Sequence, residues 1–450
     1  MIMPVKKEKK TRSFQLVKGM KDILPDDQKY WQYISQLAET LAVKYGFSRI
    51  DIPLVEDTQL FTRSVGQATD IVEKEMYSFI DKGGENISLR PEFTAGIARA
   101  YIEHGMINLP QPVKLYSIGP CFRYDKPQSG RYRQFHQLNF ETIGDADPVT
   151  DAQIILIAYK INEMLNLPVI MQVNSVGCPQ CRPDYELVLK DYFKKYRNKL
   201  SEVSQKRLLK NPLRILDSKE DLDQTIIEGA PQQVDHLCEE CKNHFIKVLE
   251  YLDELEVPYA LNPTIVRGLD YYTRTTFEVT TVEDAENGDK SRQIALGGGG
   301  RYDKLYESLG GRETPVVGFA AGIERLIGQI KEKDLKVPAL PQAEIFLAQL
   351  GTEARRKALV LFEELYRAGF KVTEAFSKSG IKPQLEMADR LGAKLCLIVG
   401  QKEIIDGTVM IRDMDGGIQE VVDYKKIVPE LRKRLEKMAV VRVAIEDKTV

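Results

Sequence analysis

The sequence predicts an α+β protein of more than one domain, and three observations carry that reading. Its 450 residues exceed what one hydrophobic core ordinarily organises. A stretch at about 174–260, with paired cysteines and basic helices, differs from its surroundings and reads as a helical insertion between two halves of one sheet-containing domain at 17–337. After a linker marked by Pro338 and Pro341, residues 342–438 alternate strand and helix, the pattern of a small α/β domain with a largely parallel sheet. Residues 1–16 form a basic N-terminal tail, and 439–450 a C-terminal one.

The elements follow from periodicity. From about Asp26, the positions Trp31, Ile34, Ala38, Leu41 and Tyr45 recur at 3-4-3-4 spacing, one stripe of an amphipathic helix, with Asp26 and Asp27 suited to its first turn. Ser48–Val55 reads as an extended segment whose Pro53 fits a sheet edge. Ile87–Arg90 is a predicted strand, and Pro91-Glu92 opens a helix with Phe93, Ile97 and Tyr101 on one side. Val113–Ile118 is a strand, and 122–141 reads as strand, polar turn, strand. In the last part, Glu344–Leu350 and Leu395–Val399 are strands, while Glu353–Ala368, Lys382–Leu391 and about Val428–Met438 are helices. Pro429 sits in the first turn of the last helix, where proline is tolerated.

Composition bounds the function. A content of 43% hydrophobic and 29% charged residues belongs to a globular chain rather than a disordered one. No apolar run approaches the roughly 20 residues of a membrane span, and the basic N-terminus lacks the apolar core of a secretory signal, so a cytoplasmic location is expected. The net charge of -2 decides nothing about nucleic acid, because phosphate binding needs only local positive surface. Such surface exists between Lys190 and Lys219, with ten Lys or Arg against three acids; a solvated helical face and an RNA contact are both open readings.

Of six cysteines, four pair as Cys178-Pro-Gln-Cys181 and Cys238-Glu-Glu-Cys241, which points to a structural zinc tetrathiolate ahead of free thiols or redox-active pairs. His236 and His244 flank the second pair as substitute ligands. Cys121 and Cys396, in apolar strand-like contexts, are expected to be buried thiols.

Three arginine-bearing segments carry the chemistry: 122–137, Arg267-Gly-Leu-Asp-Tyr-Tyr272, and the Gly297–Gly300 run leading through Arg301-Tyr302-Asp303 to Gly318–Leu326. Each is flanked by glycine or tyrosine, which suggests one pocket for a polyanion and a small polar molecule. There is neither a GxxxxGK[ST] loop nor a GxGxxG turn opening a helix, so arginine forks must hold any phosphates. Strand alternation would place Arg131, Arg133, Phe135, Gln137, Asn139 and Glu141 on one face. That face is too polar for a core, although an exposed sheet face is the plainer alternative. For Glu92 alone, the plain reading is a helix-start acid worth ~0.3–1 kcal/mol. For the glycine run it is a flexible turn, set against close backbone approach to a ligand.

Together these segments resemble the active-site motifs of the histidyl-tRNA synthetases, members of the class II aminoacyl-tRNA synthetases, over nearly the whole chain from Val17 to about Val422. The resemblance implies a catalytic domain built on an antiparallel sheet flanked by helices, the helical insertion, and a C-terminal α/β anticodon-binding domain. It assigns Arg123 and Arg267 to the ATP α-phosphate as the catalytic pair, Arg131 and Arg325 to the outer phosphates, and Asp125 to the adenine ring. Glu92, Thr94 and Gln137 would hold the ammonium of L-histidine, with Glu141, Tyr271, Tyr272 and Tyr302 around the substrate, mostly near its imidazole. ATP with Mg2+ and tRNA(His) are the implied co-substrates, and the first helix and strand the implied homodimer interface. Asp125 stands where the family usually has glutamate, Lys126 where it has arginine, and Ser201, Ser204 and Ser218 where relatives often carry further cysteines. The resemblance implies histidine–tRNA ligation. Against it stand a catalytically inactive, synthetase-like regulatory protein that binds histidine or uncharged tRNA, and a class II ligase for another amino acid.

Overall fold

The structure, a computed structural model, describes residues 14–66, 69–126, 130–283, 295–340 and 343–446, of which 439–446 are described in backbone only. Residues 1–13, Pro127–Ser129, Pro341 and 447–450, all part of the segments discussed above, lie outside the described residues. The chain divides into two compact units, Met1–Pro338 and Ala339–Val450.

In the first unit, helix α1 (Gln28–Lys44) buries Ile34, Leu37, Ala38, Leu41 and Ala42, the stripe that its periodicity predicts. Its start differs: Asp26 and Asp27 occupy a 3-10 turn, Pro25–Asp27, ahead of the helix. The predicted strand at 48–55 divides around Pro53 into two short strands. The first, β1 (Ser48–Arg49), lies on the edge of the large sheet, and β2 (Val55–Asp57) joins a separate three-stranded sheet with β3 (Tyr77–Ile80) and β4 (Asn86–Leu89). Helix α2 (Thr58–Val65) follows β2, and α3 (Thr94–Glu103) follows β4.

The large sheet takes its other strands from β5 (Val113–Phe122), β6 (Gln134–Ile143), β7 (Val169–Ser175), β8 (Tyr259–Leu261), β9 (Thr273–Thr281), β10 (Gly297–Arg301) and β11 (Val316–Gly322), in the order β1-β5-β6-β11-β10-β9-β7-β8. The six central strands pair antiparallel, as expected, but both edge strands pair parallel, which makes the sheet mixed. One face packs on α1, α4 (Pro148–Met164) and two further helices through a core that includes Ile154, Ile161, Phe140, Phe277 and Phe319. The other packs on α3 through Phe93, Ile97, Tyr101, Tyr302 and Tyr306.

Between β7 and β8, neighbours in the sheet, the chain leaves to form α5 (Arg182–Lys195), α6 (Glu202–Lys210), α7 (Asp221–Glu228) and α8 (Glu239–Glu254). Helices α5 to α7 have their own core around Tyr185, Leu189, Phe193, Ile215 and Ile227. At its centre, the hydroxyls of Ser201, Ser204 and Ser218 all donate to the Asp223 carboxylate, at 2.8, 2.6 and 2.6 Å. After β10 come the single-turn α9 (Leu305–Ser308) and then α10 (Ile323–Glu332), which starts where β11 ends.

The second unit contains β12 (Ile345–Gln349), α11 (Thr352–Arg367), β13 (Val372–Glu374), α12 (Ile381–Arg390), β14 (Leu395–Val399), α13 (Gln401–Asp406), β15 (Thr408–Asp413), β16 (Gln419–Asp423) and α14 (Ile427–Glu446). Its sheet, ordered β13-β12-β14-β15-β16, is parallel over three strands and antiparallel over the last two, so it is only half parallel. Strands β12 and β14 are buried at every position, which explains their unbroken apolar runs. Helix α14 continues past Met438 to Glu446, since 439–446 contains no glycine or proline to stop it. Cys121 and Cys396 are fully buried.

Candidate active site

A cleft of about 330 Å³ opens on the large sheet. Its lining includes Glu92, Thr94, Arg123, Asp125, Arg131, Gln137, Arg267, Tyr271, Tyr272, Tyr302 and Arg325. Residues more than 200 positions apart in the chain therefore share one concave surface.

On one side stand four guanidinium groups. Arg123 leaves the end of β5, stacks 5.3 Å from the Phe135 ring, and donates from Nε to the Pro91 carbonyl at 2.9 Å. Arg131 pairs with Asp125 at 3.0 Å. Arg267 has a left-handed backbone (φ 55°), pairs with Glu278, and lies 5.8 Å from the Tyr272 ring; its buried Nε has no partner among the described residues. Arg325 sits in the first turn of α10 and donates to the Ala295 carbonyl at 2.6 Å. Burial, and then the charges of Arg131, Arg123 and Arg267, push the Arg325 guanidinium down to about 10. An anion bound among these groups would relieve that mutual repulsion.

Glycine shapes the floor. The Gly297–Gly300 run is not a turn but the central strand β10, with sheet neighbours on both sides. A Cβ on Gly298 would meet Arg267 Nη1 at 2.7 Å, and one on Gly299 the Gly318 carbonyl at 2.1 Å. These positions must therefore stay bare for the strand to pair and for Arg267 to lie across it.

The other side is a carboxylate-and-phenol niche. The rings of Tyr271, Tyr272 and Tyr302 cluster with centroids 4.8, 5.1 and 6.0 Å apart. Glu141, in β6, is almost fully buried beneath the lining and accepts from the Thr94 hydroxyl at 2.8 Å. Its Oε2 and the Tyr302 hydroxyl are buried without a partner among the described residues. Burial raises the Glu141 carboxyl to about 8, against the Thr94 hydrogen bond and with a further push from Glu92. Glu92 accepts from the amides of Thr94 and Ala95 at 2.6 and 2.8 Å. It thus satisfies the start of α3 while it lines the cleft.

Some expectations are corrected. Arg301 does not face the cleft. It is fully buried on the far side, paired with Asp151 and Asp303, because the register of β10 shifts between Gly300 and Arg301. Regular alternation in β6 begins only at Gln134, so Arg133 turns away and stacks on Tyr124 at 3.6 Å. The face carrying Gln137, Asn139 and Glu141, read as too polar for a core, is buried. Two lining residues, Glu278 and Ile71, escape the sequence reading. A lone carboxylate among the threonines and apolar residues of 273–281 was the available signal for Glu278.

The four cysteines converge elsewhere, with all ligand atoms within 4.8 Å of one another. The Cys178 sulfur lies 3.8 Å from that of Cys181 and 3.9 Å from that of Cys238. Thiolates at tetrahedral corners around zinc, at Zn–S of about 2.3 Å, are about 3.8 Å apart, so the donor set fits that ion. Burial raises the Cys178 thiol, but the N–H groups of Cys181 and Gln180 and the adjacent thiols outweigh it and leave it at about 7. The histidines are not substitute ligands: His244 lies 3.3 Å from Asp151, and His236 packs on Tyr185.

A profile of the histidyl-tRNA synthetases matches residues 19–326, and one of an anticodon-binding domain matches 344–434. The chain belongs to the histidyl-tRNA synthetase family. A histidine–tRNA ligase of Dehalococcoides mccartyi is 43% identical over 424 residues, spanning 94% of this chain and 100% of that protein. One from Caldicellulosiruptor saccharolyticus is 44% identical, over 94% of this chain and 99% of its own. The apo histidyl-tRNA synthetase of S. aureus superposes with a TM-score of 0.77 at 35% identity, over 93% of this chain and 99% of that one. Within this family the fold is the class II one, with a large mixed sheet flanked by helices and a C-terminal anticodon-binding domain. Among the described residues, no helix is long and apolar enough to cross a membrane.

Proposed function

We propose that this chain is a histidine–tRNA ligase. It joins L-histidine to ATP, giving histidyl-adenylate and pyrophosphate, then transfers histidine to the 3′-terminal ribose of tRNA(His). One observation carries the reading: the repelling guanidiniums and Tyr302 line the same cleft, and the unpaired Glu141 Oε2 lies just beneath it, against the lining residue Gly318.

In the first step the histidine carboxylate attacks the α-phosphorus and pyrophosphate leaves in line. Arg123 and Arg267 stabilise the charge that develops there, Arg131 and Arg325 hold the outer phosphates, and Asp125 faces the adenine. Fixed guanidiniums in a partly dry cleft need little reorganisation as charge builds, which is where such catalysis gains most. Glu92, Thr94 and Gln137 take the ammonium, with Glu141, Tyr271, Tyr272 and Tyr302 around the imidazole. An apolar near-isostere would leave the two unpaired atoms buried and unsatisfied, so selection needs no editing site. Mg2+ accompanies the triphosphate and spreads its charge. Glu278, the most exposed carboxylate of the cleft, would hold it.

Cys178, Cys181, Cys238 and Cys241 hold a structural zinc, and metal analysis should find about one ion per chain. The C-terminal unit binds the anticodon. The protein works as a homodimer in the cytoplasm, with α1 and the extended segment after it at the interface, where Val43, Leu54 and Val55 are exposed.

ATP–pyrophosphate exchange with each amino acid tests the reading. Exchange with histidine alone is the expected result. No exchange would favour the inactive regulatory protein, and exchange with another amino acid a different ligase.

A further inference from the structure

Arg182, next to the first cysteine pair, and Tyr272 are 90 residues apart in sequence, yet the chain around each is bonded to the other. Gly177 precedes the first cysteine with φ 67°, and a Cβ there would meet Cys181 Sγ at 2.8 Å, so the turn needs glycine to bring its two thiols together. Arg182, directly after Cys181, opens α5. Its Nε donates to the Val176 carbonyl at 3.1 Å, and its Nη2 donates to the Gly177 carbonyl and, in a short bond, to that of Tyr272.

A second set of bonds lies two residues on. Arg274 has φ 53°, a left-handed conformation that a non-glycine residue keeps only when its surroundings enforce it. Its N–H donates to the Gly177 carbonyl at 2.8 Å, and its own carbonyl accepts from Val176 N–H at 2.8 Å. Its guanidinium pairs with Glu240 and approaches His244 Nδ1 at 3.4 Å. Both partners belong to α8, which carries Cys241 and is capped by Cys238. Tyr272 and Arg274 are thus bonded to residues that flank both cysteine pairs, while Arg267 has separate anchors in Glu278 and Arg214.

We infer that Arg182, with Arg274, is a positioning residue that ties the Tyr272 backbone to the cysteine cluster, so that the metal-bound insertion sets the geometry of the amino-acid side of the cleft. The ion itself takes no part in the reaction. Its effect reaches the substrate through the Tyr272 carbonyl, and from there through the phenol cluster of Tyr271, Tyr272 and Tyr302.

This inference rests on the histidine–tRNA ligase reading for its kinetic arm and on the proposed zinc for its chelation arm. In the full-length protein, Arg182→Gln should raise the KM for histidine about tenfold, as losses of outer-shell partners of metal sites do. The KM for ATP should be unchanged and the metal retained, with Arg182→Lys recovering part of the loss. In the ligand-free protein, amide hydrogen exchange over 271–274 should quicken both in Arg182→Gln and after chelation of the wild-type metal. An unchanged histidine KM, or parallel rises in both KM values, would overturn the inference, as would exchange indifferent to both changes. If Arg182→Gln does not fold, Arg182→Lys carries the same tests. Were the wild type to lack histidine-dependent exchange of pyrophosphate, the functional reading would fall, while amide exchange would still decide whether the brace exists.

Discussion

Glu141 Oε2 and the hydroxyl of Tyr302 hang over the same bare position, Gly318. A Cβ built there would lie 2.0 Å from the first and 2.4 Å from the second, and 2.6 Å from the Phe140 carbonyl. The two side chains could swing aside, but the backbone carbonyl is fixed by the pairing of β6 with β11. Gly318→Ala should therefore cost about 1–3 kcal/mol of stability through overpacking. It should also weaken histidine binding, because the displaced atoms are the two that face the imidazole in the proposed site. Chemical unfolding and histidine titration check this, and a variant with wild-type affinity would remove Glu141 and Tyr302 from that role.

The Glu141 carboxyl predicts a pH signature. Burial holds it at about 8, far above its unfolded value of about 4.3. Between those values the folded state keeps a proton that the unfolded state has lost, so the stability of the ligand-free protein falls as pH rises through this window. Glu141→Gln cannot release that proton and should lose this slope. Melting temperatures of both proteins from about pH 5 to about pH 8 decide it. Parallel curves would mean that Glu141 is already ionised.

Much of this was legible in the sequence because the chemistry is local to short motifs. Arg123, Asp125 and Arg131 bracket one turn, and Arg325 follows a strand that ends in glycine, so the family resemblance could single out each as a pocket residue without the fold, and all four line the cleft. What could not be read depends on register and partners. Arg301 sits beside the glycine run like a ligand residue, yet one shift in β10 sends it to Asp151, 150 residues away. The glycine run read as close approach of backbone to a ligand, with a flexible turn as the plain alternative, but nothing in its composition says that it is a strand with neighbours pressing on both sides. Ser201, Ser204 and Ser218 looked only like missing cysteines, until the fold brought them together on Asp223.

Arg267 is the residue on which the proposed chemistry most depends. Its guanidinium is held by Glu278 at the cleft and its Nε is buried and unpaired, so it is aimed without being used up. Arg267→Ala should lower kcat for adenylate formation by about 10²–10³, the usual cost of losing one preorganised charge-stabilising donor. Histidine affinity should change little, since the niche is built from other residues. Single-turnover adenylation and equilibrium histidine binding separate the two effects, and unaltered turnover would refute the assignment.

Asp151 and Arg301 make a buried pair that the chemistry does not touch. Both side chains are fully buried, and His244 completes the Asp151 shell at 3.3 Å. Burial pushes the Asp151 carboxyl upward, but the charge of Arg301 and the His244 ring override it and hold the group at about 2. Asp151→Asn leaves a buried guanidinium short of its counter-charge and should cost about 3–5 kcal/mol near neutral pH. Because the folded value lies below the unfolded value of about 3.9, the stabilisation is complete above that value and disappears as pH falls through about 2. The gap between wild type and variant should therefore be widest near neutral pH and narrow progressively below about pH 4. Denaturant unfolding across that range measures it. A gap that stays constant down to about pH 2 would show that the charge of Asp151 contributes nothing, and that Arg301 is held by its carbonyl and hydroxyl partners alone.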